Sequence, residues 1–144
     1  MPPTEVSGAE RAWVGADVVV LEHGSLIVAD GAVLRIGDGT RLARAVHVRC
    51  TSEVVIEADV STSDYVSILD TWGTAAGDSE RALPTPGAAP VRIGRGAYLG
   101  CGAVIGPGVH VGAGAYVGEG AVVVDDVAAH EVVFGNPARL GALR

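Results

Sequence analysis

The sequence predicts an all-β fold, a parallel β-solenoid wound in triangular coils. Three observations predict it: a six-residue period from Ile93 onward, 21 glycines of which ten are set into that period, and an aromatic content of only 4 % beside a hydrophobic content of 49 %. A globular core normally leans on aromatic side chains for buried area. A chain short of them, yet rich in Val, Ala and Gly, builds from thin and similar layers. At 144 residues it is expected to form one domain around a single continuous core.

The period is clearest from 93 to 128, which reads IGRGAY, LGCGAV, IGPGVH, VGAGAY, VGEGAV and VVDDVA. The first position is aliphatic throughout: Ile93, Leu99, Ile105, Val111, Val117 and Val123. Glycine holds the second and fourth positions in five of the six hexads, and the fifth is always Ala or Val. Six residues match neither a helical turn nor a long simple strand. They match a short strand followed by a corner, with alternate side chains on opposite faces and glycine where the chain turns. Three strands and three corners close one coil, and stacked coils share hydrogen bonds along the axis.

Upstream the period is less regular. Ile36, Leu42 and Val48 are spaced by six, a two-residue slip leads to Ile56, and the spacing resumes at Thr62 and Ile68. Residues 34–73 are therefore read as the first regular coils and residues 1–33 as irregular N-terminal coils. Residues 74–90, TAAGDSERALPTPGAAP, break the pattern with Pro, Gly and Ala and are read as an extruded loop. Hexapeptide coils fill 91–128, and 129–144 form a C-terminal cap. Aligning the coils predicts two outer ladders: Arg35, Val55, Arg92, His110, and Tyr98, Tyr116, Phe134. The aromatic ladder is expected to face another subunit, because aromatics in a row rarely face water.

Composition excludes several partners. Net charge is -7 with no basic run, so neither nucleic acid nor an anionic membrane surface is expected to bind. The opening MPPTEVSGAERAW shows no signal-peptide pattern, and two cysteines in that context, Cys50 and Cys101, are read as buried thiols in a cytoplasmic protein.

The hexads, with the closing VVVDDVAAHEVVFGNPARL, resemble the hexapeptide-repeat acyltransferases with a left-handed β-helix. The resemblance spans roughly residues 34 to 144 and is most specific in Gly135–Arg139. It implies the left-handed sense, a homotrimer, and an acyl-CoA donor such as acetyl-CoA in a cleft completed by neighbouring subunits. It also implies acyl transfer to a small-molecule hydroxyl or amine, with a histidine taking the acceptor's proton. In many members that histidine ends a D-x-H element before the loop; here the element reads Asp70-Thr71-Trp72. An indole nitrogen only donates, so Trp72 cannot be that base.

Other positions take up the roles the resemblance implies. His110, outward and above Arg92, is the expected surrogate base, with Asp70 or Asp64 orienting it. Trp72 is expected at a small inward position beneath the loop, as a plug or as a pocket wall, with Arg92 and Tyr98 also contacting substrate. Cys101, Glu119 and Arg139 fall at positions beside the cofactor. Glu119 and Asp125 place negative charge there, while Arg139 keeps the family's terminal cation. Related zinc enzymes on this scaffold use three histidines at a spacing that His47, His110 and His130 do not reproduce, so no metal is expected. Two further readings remain open: a member repurposed for cyclisation or isomerisation of a small molecule, and a non-catalytic trimeric scaffold or binding module.

Overall fold

The computed structural model describes residues 3–72 and 88–143. Most of the loop expected over 74–90 lies outside the described residues; Ala88, Ala89 and Pro90 return the chain to the solenoid.

Three parallel sheets form the faces of a prism of about six coils. Face A stacks Glu5–Ser7, Ser25–Val28, His47–Cys50, Ser67–Leu69, Val104–Ile105 and Val122–Val123. Face B stacks Ala12–Val14, Val33–Ile36, Glu53–Ile56, Val91–Ile93 and His110–Val111. Face C stacks Val19–Val20, Arg41–Leu42, Ser61–Thr62, Tyr98–Leu99, Tyr116–Val117 and Glu131–Phe134, and Arg139–Leu143 closes it as an antiparallel hairpin.

The six-residue step places one inward aliphatic on each wall in turn. Ile93 stands on face B, Leu99 on face C and Ile105 on face A, all fully buried. The fifth positions Ala97, Ala103, Val109, Ala115, Ala121 and Val127 are buried beside them, where only small side chains fit between walls. Close stacking of the coils also explains the second-position glycines. A Cβ on Gly94 would come within 2.5 Å of the backbone nitrogen of Ala113 in the next coil.

Residues 5–28 follow the three-face order, with Leu26 paired to Val48. The period was hidden because the early coils are longer. The chain advances 22 residues from Leu26 to Val48 and 20 from Val48 to Ile68, against 18 from Ile105 to Val123. The extra residues extend face A strands, turning Cys50 and Asp70 inward as additional buried rungs.

That extension corrects two expectations. The small inward position assigned to Trp72 is occupied by Val91, which pairs with Val54; Thr71 is buried and the Trp72 side chain is exposed, so it does not plug the array. Asp70, expected to orient His110 in the groove, is fully buried. Cys101, too, is exposed, because the third hexad position points out at the corner; only Cys50 is a buried thiol.

Both outer ladders form, with one shift. Arg35, Val55, Arg92 and His110 pair in consecutive register on face B, headed by Trp13. Tyr98 stacks on Tyr116 at 5.0 Å between ring centroids. The residue in register with Tyr116 is Val132, and Phe134 reaches the ladder from two residues further on, 6.5 Å from the Tyr116 ring.

Candidate functional site

The outer row of face B runs beside the corner to face C, and the two together form a long groove. Its upper part is a cavity of about 540 Å³ lined by His110, Glu57, Asp126 and the corner residues Gly94, Gly112 and Ala113 among others. Its lower part, about 460 Å³, runs from Trp13 and Arg35 up to Glu57. Glu57 is common to both.

Glu57 sits at this corner because its coil carries an acid where the coils on either side have Gly37 and Gly94. The carboxylate accepts from Arg92 Nε (2.8 Å) and from the backbone N–H of Arg95 (2.9 Å). Burial works to raise its pKa. The hydrogen bonds from Arg92 and Arg95 and the nearby charges of Arg92 and His110 outweigh that, and hold it below the usual carboxylate value. Below it, the Arg35 guanidinium lies 5.8 Å from the Trp13 ring centre, a cation–π contact. Above it, His110 is exposed and its backbone N–H donates to Asp126 Oδ1 at 2.8 Å.

The acids that share this cavity with His110 are Glu57, Asp126 and Glu131, not either aspartate expected to orient it. Asp70 accepts from Thr51 N (2.8 Å), Thr51 Oγ1 (2.8 Å) and Ser52 N (2.6 Å), closing the corner of the coil below. Asp64 accepts from Arg44 N at 3.0 Å on the corner between faces C and A. Glu57 was missed because its hexad register follows the two-residue slip, which hid that it lies next to Arg92. The available signal was the acid at a glycine position, one rung under an arginine.

The remaining expected site residues are spread around the prism. Trp72 leaves the corner between faces A and B with its ring against Gly106. Cys101 and Glu119 stack on the corner between faces C and A, linked by the Gly120 N–H to the Cys101 carbonyl. Glu119 also accepts from the Tyr116 hydroxyl at 3.4 Å. Tyr98 lies on face C, and Arg139 starts the closing hairpin, opposite Phe134. Within one chain, the structure brings together His110 with Arg92 and, on another corner, Cys101 with Glu119. Among the described residues, no group of three or more His, Cys, Asp or Glu side chains is placed to hold a metal ion, and no helix is long and apolar enough to cross a membrane.

Residues 90–125 match the family model for the bacterial transferase hexapeptide (six repeats). The hexapeptide repeat of that family is thus carried by residues 90–125. No curated protein matches its sequence. Among solved structures, the chain is similar to AntD, an N-acyltransferase from Bacillus cereus solved in complex with dTDP and 3-hydroxybutyryl-CoA. The TM-score is 0.85 at 15 % identity, over 98 % of this chain and 77 % of that one. It is also similar to perosamine N-acetyltransferase from Caulobacter crescentus, a point mutant of which was solved with CoA and GDP-perosamine. There the TM-score is 0.70 at 26 % identity, over 98 % of this chain but 54 % of the other, so this chain spans about half of that enzyme's length. A third, the hexapeptide-repeat acetyltransferase VCA0836 from Vibrio cholerae complexed with acetyl coenzyme A, gives a TM-score of 0.69 at 21 % identity, over 97 % and 70 % of the two chains.

Proposed function

We propose that this protein transfers an acyl group from acyl-CoA to an amine of a small molecule, acting as a homotrimer whose clefts lie between subunits. The observation that carries this reading is the match along 98 % of the chain to the 26 %-identical perosamine N-acetyltransferase solved with CoA and GDP-perosamine. An amine acceptor suits a site whose loop-side D-x-H histidine is replaced by Trp72. A hydroxyl needs a strong base to become nucleophilic, whereas a neutral amine attacks with its own lone pair. The sequence has no histidine between His47 and His110, so the segment around the loop carries no imidazole.

In this reading the amine nitrogen adds to the thioester carbonyl carbon. The C–S bond then breaks and CoA leaves as the thiolate. His110 takes the proton lost by the nitrogen, and Glu57 steadies the resulting imidazolium. Arg92 fixes Glu57. Trp72 forms an apolar wall at the corner where the loop leaves, Tyr98 contacts substrate from a neighbouring subunit, and Arg139 attracts the CoA phosphates. Cys101 and Glu119 lie on the CoA path, where Glu119 weakens rather than strengthens binding.

Calorimetric titration with acetyl-CoA, followed by an assay with a panel of amino sugars, tests the reading. Heat of binding and N-acetylated product are expected, with His110→Ala lowering kcat/KM by roughly a hundredfold or more. Absence of heat at millimolar acetyl-CoA would overturn the proposal, and unchanged turnover in His110→Ala would remove His110 as the base.

A further inference from the structure

The corner between faces C and A carries a column of residues in the left-handed backbone region: His23 (φ 71°), Ala45 (φ 54°), Tyr65 (φ 64°), Gly102 (φ 73°) and Gly120 (φ 70°). Successive corners are tied by backbone hydrogen bonds, Ala45 N to Glu22 O, Tyr65 N to Arg44 O and Gly102 N to Asp64 O. The upper coils use glycine, the residue that takes this conformation freely. The lower coils place an imidazole and a phenol there instead. Bulky side chains held in a sparsely populated backbone region concentrate where function needs them.

Ala45, the small residue of the three, separates His23 from Tyr65. Two strand spacings, roughly 9.5 Å, therefore lie between the rungs that bear the two rings. A cavity of about 520 Å³ opens here, lined by His23, Arg44, Ala45, His47, Asp64 and Tyr65. The polar groups in it are held in place. Arg44 Nε donates to Glu22 Oε1 at 2.7 Å, and Asp64 Oδ1 accepts from Arg44 N, leaving the rest of the carboxylate's acceptor capacity. His47 Nδ1 lies 2.7 Å from Ser25 Oγ, so Nε2 is the nitrogen left to meet a ligand.

We propose that this slot is a second ligand site, separate from the face B groove, and that it takes a small polyhydroxylated ring: the ring of a sugar, free or within a nucleoside. The C–H faces of such a ring pack on Tyr65 and His23 over the Ala45 floor. Adjacent hydroxyls donate to Asp64, and another meets His47. Flat apolar walls around one carboxylate and one imidazole suit a ring that is apolar on its faces and polar at its edge.

Ligand-observed saturation-transfer NMR on the full chain tests it with two probes, methyl α-D-glucopyranoside and uridine. Transfer to the ring C–H protons of either probe is expected, and the probe that binds identifies the source of the ring. Tyr65→Gly is expected to weaken binding roughly tenfold or more while Tm is unchanged or raised, because glycine relieves the backbone as it removes the wall. No transfer from either probe at millimolar concentration would overturn the proposal, as would parent-like binding by Tyr65→Gly. Should Tyr65→Gly fail to fold, Asp64→Asn decides: it keeps the oxygen that caps Arg44 but removes the charge, and parent-like binding by that variant overturns the site.

Discussion

The indole of Trp72 lies across Gly106, so closely that a Cβ added to Gly106 would stand 2.5 Å from Trp72 Cζ2. The contact joins the last described residue before the loop to the coil above it, and its obstacle is the end of an exposed side chain. Gly112 presents the opposite case, because a Cβ there would stand 2.3 Å from the Ala129 backbone nitrogen. An indole can swing away; a stacked backbone cannot. Gly112→Ala is therefore expected to cost about 3 kcal/mol in urea unfolding, and Gly106→Ala about 1 kcal/mol. In a Trp13→Phe background, Gly106→Ala should also shift the fluorescence emission of Trp72, the remaining tryptophan, as its ring leaves the corner.

Asp70 supplies the next prediction, because its two readings separate. As a corner cap it satisfies Thr51 N, Thr51 Oγ1 and Ser52 N. Removing the carboxylate strands donors that are only partly open to water. Asp70→Ala should lose about 2 kcal/mol of stability by urea unfolding, with Asp70→Asn losing less because one oxygen remains. Any acyl-transfer activity should persist in the folded fraction of either variant. A folded but inactive Asp70→Asn would return Asp70 to the chemistry.

These two cases show where the sequence was legible. Period, inward aliphatics and outer ladders all follow from one rule, that equal steps land on equal walls. The upper coils obey that rule without exception, so Ile93, Leu99 and Ile105 fall where expected. The lower coils break it by lengthening face A, and three misplacements trace to that change. Trp72 is expected at the position Val91 fills, Asp70 is expected beside His110, and Glu57 loses its link to Arg92. The cap failed in register for a related reason: the hairpin offsets Phe134 from Tyr116 by two residues. A period reports spacing along the chain, and an insertion changes the rung without changing local composition.

The two thiols should separate by reactivity. Cys50 is fully buried, and its thiol donates to the Val33 carbonyl at 3.1 Å. Burial, reinforced by the nearby Asp70 carboxylate, pushes its pKa up from an ordinary value of 9.0 to about 11. Cys101 is exposed. A thiol reagent at about pH 8 should label one site quickly, Cys101 by peptide mapping, and Cys50 only on unfolding. A raised folded pKa favours the protonated thiol in the native state, so its stabilising contribution is complete below pH 9.0 and is lost as pH rises toward about 11. Cys50→Ser, which does not ionise in that window, should flatten the alkaline fall in Tm.

Glu57 gives the acid-side counterpart. Burial alone would raise its pKa, but the hydrogen bonds from Arg92 and the Arg95 backbone, with the charges of Arg92 and His110, bring it below the usual value. A lowered folded pKa means that the stabilisation is present above the ordinary carboxylate value of 4.5 and is lost as pH falls through the folded value. Arg92→Ala removes both the side-chain hydrogen bond and the nearer cation. Burial then acts with less opposition, and the acid-side fall in Tm should begin at higher pH than in the parent, in a series run from about pH 7 down to about pH 3. Arg92 is half exposed, with 51 % of its side-chain surface accessible, so added salt should weaken the difference between parent and variant. The same variant should impair acyl transfer more than stability if Glu57 acts beside His110, because loss of Arg92 frees the carboxylate to leave the groove. Equal Tm curves for parent and Arg92→Ala across that pH range would show that the ion pair does not set the ionisation of Glu57, and the orienting role given to Glu57 would go with it.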